Sequence, residues 1–165
     1  MQISNSPAYG SHLPALEWAV EQTEGPIFEM GAGLWSTPFL VGTGRPLVTY
    51  ELNQEWARHV KDIARGSLHT WITEAPGQHF GLAFLDGGTD ESWLVDRREM
   101  FDMISADIIL VHDLASHLFC EPWRPWHGAD RRFGTQGWYV PEGNPATWAT
   151  SNHVPVTGWE WQQHS

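Results

Sequence analysis

The stretch Gly25–Glu51, GPIFEMGAGLWSTPFLVGTGRPLVTYE, constrains the fold more than any other part of this chain. Ile27–Met30 is a short apolar run carrying an acid, Glu29, and Gly31-Ala32-Gly33 follows it. Ser36, Thr37 and Pro38 then open an apolar segment that reads as a helix to about Val41, and a second β-rich run, Pro46–Tyr50, ends in Glu51. The order is strand, glycine turn, helix, strand, acid. Glycines are needed where a strand turns sharply into a helix and where a ligand must approach the backbone without meeting a Cβ. The start of the helix offers unpaired N–H groups. An acid at the tip of the next strand accepts hydrogen bonds from a ribose diol, about 20 residues beyond the glycines. Glu51 lies 18 positions after Gly33. Ser36 stands where the fingerprint G-x-G-x-x-G has its third glycine, so the unit suits a nucleoside without phosphates better than a pyrophosphate.

The rest of the chain extends this pattern. Before it, Leu16, Ala19, Val20 and Thr23 recur at helical spacing between Pro14 and Gly25. After it, Asn53 suits an N-cap for a helix with Trp56, Val60 and Ile63 on one stripe. His69–Thr73 reads as a third strand, Pro76-Gly77 as a turn and Phe80–Leu85 as a strand covered on both faces, ending in Asp86-Gly87-Gly88. Ser92–Ser105 fits a helix with Leu94, Met100, Phe101 and Ile104 inward, and Asp107–Val111 a buried strand ending in His112-Asp113. Beyond Leu118 the periodicity fails; Phe133, Gly137–Val140 and Thr147–Ser151 suggest strands. Apolar strands alternating with helices predict an α/β fold with an open, mainly parallel sheet wrapped by helices. Ligands of such sheets bind beyond the carboxyl ends of the strands. Glu29 to Gly33, Glu51, Asp86 and His112-Asp113 all fall at those ends.

With 165 residues, one domain spanning 1–165 is expected, with an N-terminal arm at 1–11 and a tail at 153–165. Nine Lys and Arg stand against twenty Asp and Glu, and the basic residues form no stripe, which argues against a duplex nucleic acid partner. A single cysteine, Cys120, fits a reducing compartment. With no signal-like leader and no apolar run near membrane-spanning length, a cytoplasmic protein without a membrane partner is expected. Eleven tryptophans, dense in the last third, read as staples of a loop-rich region or as the lining of an aromatic surface.

Glu29-x-Gly31-x-Gly33, Ser36-Thr37-Pro38, Glu51 with Trp56 shortly after, Phe84-Leu85-Asp86-Gly87, Arg97-Arg98 and Ile108-Ile-Leu-Val-His112-Asp113 together resemble the class I S-adenosyl-L-methionine-dependent methyltransferases, small bacterial and phage members above all. Pro145–Asn152 is similar to their final strand, so the resemblance covers roughly residues 11–152. It implies a Rossmann-like, doubly wound and mostly parallel sheet of about seven strands, the last antiparallel. It also implies that Glu29, Gly31 and Gly33 hold the methionine end of S-adenosyl-L-methionine, with Ser36 and Thr37 nearby. Glu51 would take the ribose hydroxyls, Glu74 would face the adenine and His12 would close over the cofactor. Asp86, His112 and Asp113 become the catalytic group, as general base or as ligands of a divalent ion, magnesium or manganese or, at a harder site, iron. The expected activity is O-methylation of a small-molecule acceptor or sugar; no Asn-Pro-Pro-Tyr type motif favours amino acceptors.

Other readings of the same residues exist. Asp86 can cap the turn at Gly87-Gly88, and Arg97 and Arg98 can be a solvated helix face. His112, His117, Cys120 and His127 lack the paired spacing of a structural zinc site. Trp35, bulky within the glycine turn, fits an alternative: a catalytically silent Rossmann-like accessory module, phage-type, self-associating into a homo-oligomer or docking a protein through an aromatic surface.

Overall fold

The computed structural model describes residues 12–87, residues 99–112 and the backbone of residues 137–139. Helix α1 (Leu13–Gln22) has a proline in its first turn, where an N–H has no intrahelical partner to lose. Its C-terminal end is held by Arg45, which donates from Nη1 to the carbonyls of Val20 and Thr23 and from Nε to that of Gly25. Strand β1 (Ile27–Met30), helix α2 (Ser36–Gly42) and strand β2 (Leu47–Tyr50) follow as the sequence predicts. Helix α3 (Gln54–Ile63) is capped as expected, the Asn53 side chain accepting from the backbone N–H groups of Glu55 and Trp56. Strands β3 (His69–Ile72), β4 (His79–Leu85) and β5 (Ser105–Val111) complete the parallel core.

The strands form one sheet in the order β3-β2-β1-β4-β5-β6. β1 to β5 are mutually parallel, and β6 (Gly137–Tyr139) pairs antiparallel with β5. The described residues thus give six strands. The strand expected at Thr147–Ser151, and Phe133, lie outside them. Strand order reverses between β1 and β4, which places the switch point of the sheet, and the crevice such a point opens, at the carboxyl ends of these two strands.

Alternation along each strand divides the core between two faces. Ile27, Leu47, Leu82, Phe84, Ile108 and Leu110 pack beneath α1 and α2, with Ala15, Leu16, Ala19 and Leu40 all fully buried. α3 covers the same face further out, Val60 and Ala64 meeting Trp71 and Val41. Phe28, Met30, Ala83, Leu85, Ile109 and Val111 turn to the other face, where Met100 and Ile104 cover them. Only residues 73–78 link β3 to β4, so this crossover has no helix of its own. It leaves a groove of about 630 Å³ lined by Val48, Thr70, Ile72 and Glu74, among others.

One boundary needs correction. The helix expected over Ser92–Ser105 is described only at residues 99–103, and Ser105 is already the first residue of β5. The reason is tertiary: Ser105 lies opposite His79 in the β4–β5 ladder, and its hydroxyl lies 2.7 Å from His79 Nδ1.

At Gly81 the backbone of β4 passes so close to the carbonyl of Glu24 that a Cβ would overlap that oxygen. Gly81→Ala must therefore push the α1–β1 link off the sheet, and we expect a loss on the order of 3 kcal/mol or more in urea unfolding. Gly77→Ala, where nothing stands within 4 Å, serves as the control and should stay within about 0.5 kcal/mol of wild type.

Candidate functional site

The turn after β1 is built around a buried carboxylate. Glu29 is fully buried. Ser36 Oγ donates to its Oε1 at 2.6 Å, Thr49 Oγ1 to its Oε2 at 2.9 Å, and Thr37 Oγ1 lies 3.0 and 2.9 Å from the two oxygens. Thr37 Oγ1 in turn accepts the N–H of Gly33 at 2.9 Å. The first turn of α2 is thereby fastened to the middle of the sheet. Ala32 is gripped from the side of α3: its carbonyl accepts from Trp56 Nε1 at 2.6 Å, and its N–H donates to Glu51 Oε2 at 3.1 Å. The other oxygen of Glu51 accepts the N–H of Asn53 at 2.7 Å.

Gly31 has a φ of +84°, which side chains rarely adopt, and its N–H donates to the carbonyl of Tyr50. A Cβ there would overlap the Cα of Gly87, so the β1 and β4 turns touch backbone to backbone. At Gly33 a Cβ would stand 2.5 Å from Ser36 Oγ and break into the Glu29 network.

Burial pushes the Glu29 carboxyl up to about 7, against the pull of its three hydroxyl donors, and the nearby Asp86 adds to the rise. His69 moves the other way. Burial, then the Lys61 charge, bring it down to about 4, so it is neutral at pH 7, with Nε2 2.8 Å from Thr49 Oγ1. Neutral His69 donating to Thr49, and Thr49 donating to Glu29, is the proton arrangement that leaves each oxygen with a partner.

A second group lies at the carboxyl ends of β4 and β5. Asp86 follows β4 and His112 follows β5, with His112 Nδ1 2.9 Å from Asp86 Oδ1. Their side chains are 24% and 14% exposed. His12 joins them from the residue before α1, 4% exposed, its ring 5.2 Å from that of Phe84 and 5.3 Å from that of His112. α1 leads into β1 from the opposite edge of the sheet, so its start lies at the carboxyl ends of the strands. One nitrogen or oxygen from each of His12, Asp86 and His112 lies within 4.8 Å of the others.

Most residues singled out in the sequence therefore converge on one rim. Glu29, Ser36 and Thr37 have their polar atoms turned on one another, while Gly31, Gly33 and Glu51 form the turn itself. Glu74 is exposed and belongs to the groove on the helix-poor face. Asp113 lies outside the described residues, as do Arg97, Arg98, His117, Cys120 and His127. Sequence reasoning missed Thr49 and His69 as organisers of the turn, and it placed Trp56 beside Glu51 without its bond to Ala32. The available signal was Thr49, the one aliphatic hydroxyl in Leu47–Tyr50, at the register position opposite Glu29.

No protein-family model matches the chain, and no curated protein matches its sequence. Among solved structures, the C-terminal domain of precorrin-6Y C5,15-methyltransferase from Rhodobacter capsulatus is similar, with a TM-score of 0.50 at 17% identity over 89% of this chain and 84% of that one. The likeness shows a shared fold, Rossmann-like in its strand order. Among the described residues no helix is long and apolar enough to cross a membrane.

The two displaced groups give stability an unusual pH dependence. Glu29 holds its proton in the folded state up to about pH 7 and loses it near 4.5 when unfolded, so by itself it lowers stability as pH rises from 4.5 to 7. His69, down from 6.5 to about 4, raises stability as pH rises through that window. The slopes oppose each other between pH 4.5 and 6.5, and wild-type stability should be nearly flat there. Glu29→Gln removes one term, so its unfolding free energy should climb with pH, by up to about 1.4 kcal/mol per unit relative to wild type. Urea titrations at pH 5.0 and 6.5 provide the check, and parallel profiles would refute the assignment.

Proposed function

We propose that the chain is an S-adenosyl-L-methionine-dependent methyltransferase acting on an oxygen of a small molecule or sugar. The observation that carries this reading is the preorganised turn: Gly31 to Gly33, clamped by Glu29, Trp56 and Glu51 and lying against Asp86-Gly87 at the switch point of the sheet. Such a turn suits a nucleoside cofactor because its glycines let the β1 and β4 turns close on each other at the crevice where ligands of this fold bind. Glu51 presents two carboxylate oxygens that now accept backbone N–H groups, and a ribose diol offers hydroxyl donors to the same oxygens. When bound, the cofactor supplies an electrophilic methyl group on a sulfonium. The protein's own contribution is position, because a displacement of this kind is accelerated mainly by alignment.

Asp86 and His112 supply the proton chemistry. Their 2.9 Å approach puts a carboxylate beside an imidazole that would serve an acceptor hydroxyl as base. A divalent ion at the same rim, magnesium or manganese in the reading from Asp86, His112 and Asp113, would acidify that hydroxyl instead. The same fold would also serve a catalytically silent accessory module, and labelled methyl transfer separates the two.

Calorimetry with S-adenosylhomocysteine tests the cofactor assignment. Wild type should bind, and Glu51→Ala should bind about 10- to 100-fold more weakly, matching the loss of charged hydrogen bonds worth about 1.5–3 kcal/mol. Negligible heat in both would sink the assignment. Binding without labelled methyl transfer to any hydroxyl or carboxylate acceptor would favour the silent module.

A further inference from the structure

We propose that His12, Asp86 and His112 form a site for one late first-row transition-metal dication, of the zinc or iron(II) kind, rather than for magnesium. The three donors come from three separate parts of the chain and meet within 4.8 Å. Each is set by backbone as well as by side-chain packing. The carbonyl of His12 accepts the first hydrogen bond of α1 from Leu16, the N–H of Asp86 donates to Met30 O at 2.8 Å, and the N–H of His112 donates to Leu85 O at 3.0 Å. Donors held on a packed scaffold need little reorganisation to take up an ion.

The donor set decides which ion. Magnesium takes oxygen ligands in near-ideal octahedral geometry and keeps much of its water. Two imidazoles and one carboxylate are instead the mixture that zinc, iron(II), cobalt and nickel accept, and three protein ligands leave coordination positions open. His12 makes the difference: Asp86 and His112 alone are a carboxylate and an imidazole, and the residue before α1 adds the second nitrogen. The site is little exposed, with His12 at 4%, and a formal net charge of −11 on the chain favours cation entry. The present spread of 4.8 Å exceeds the edge of about 3.4 Å implied by metal–nitrogen distances near 2.1 Å, a gap within the reach of a side-chain rotation.

What the ion would do rests on the methyltransferase reading, in which its open positions take the acceptor oxygen beside the Gly31 turn. Binding itself is separable from that reading. Chelator-treated full-length protein is titrated with zinc and, in parallel, with magnesium, and metal content is measured after gel filtration. Expected are one zinc per chain, no retained magnesium, and at least about 100-fold weaker zinc binding in His12→Ala and in Asp86→Asn, since even loss of an outer-shell partner costs 10- to 100-fold. Should a variant fail to fold, X-ray absorption on zinc-loaded wild type decides. Two imidazoles with oxygen and no sulfur support the site. A sulfur neighbour, which only Cys120 or a methionine could supply, overturns it, as does zinc affinity unchanged in both variants or equal retention of magnesium. Calorimetry with S-adenosylhomocysteine on the same preparations keeps the two readings apart. A chain that binds the nucleoside but no zinc refutes the metal site alone, and the converse result refutes the cofactor alone.

Discussion

The carboxylate of Glu29, buried with no cation beside it among the described residues, is the interaction on which the rest of this structure depends. Moving a charged group from water into a protein interior is costly unless hydrogen bonds replace the lost hydration. Here three hydroxyls do so, from Ser36, Thr37 and Thr49. Because two of them belong to the first turn of α2 and the third to β2, satisfying the acid also fixes the helix start against the sheet. Thr37 passes the constraint to Gly33 by accepting its N–H. The turn is therefore shaped from below by Glu29 and from the side by Glu51 and Trp56, before any ligand arrives. Its incomplete compensation is visible in the rise of the Glu29 carboxyl to about 7.

The same constraint reaches the second group. Gly31 can meet Gly87 backbone to backbone only because neither residue carries a Cβ, and that contact puts Asp86 beside the glycine turn. Parallel pairing of β4 with β5 then sets His112 next to Asp86, with the His112 N–H on the carbonyl of Leu85. His12 arrives by a different route, through the direction of α1. A rim assembled from β1, β4, β5 and the start of α1 is what a switch point produces when the helix before the first strand lies antiparallel to the sheet. The glycine turn and the acid–histidine group are neighbours for reasons of topology.

Much of this was legible in the chain. Ile27–Met30, the Ser36 helix start, the Asn53 cap and the apolar run before Asp86 each carry a local signal that tertiary structure did not override. Partnership was not legible. An acid at a strand end reads as a ligand contact, and only the register of Thr49 opposite Glu29 shows that the carboxylate is answered from within the protein. His12 sits in a polar segment with no periodicity, so nothing local ties it to residues a hundred positions away. Ser105 reads as the end of a helix because its role, pairing with His79, is a long-range one. Local propensity specifies elements well where pattern is strong, and it is silent on side-chain partners that meet only through topology.

The most direct test of the nucleoside role proposed for the glycine turn is a crystal structure of the protein soaked with S-adenosylhomocysteine. Expected is a nucleoside in the crevice between the β1 and β4 turns, its ribose hydroxyls donating to the Glu51 carboxylate, with Ala32 still held by Glu51 and Glu29 still bound to its three hydroxyls. A nucleoside bound elsewhere, with no contact to Glu51, would contradict the role assigned to the turn.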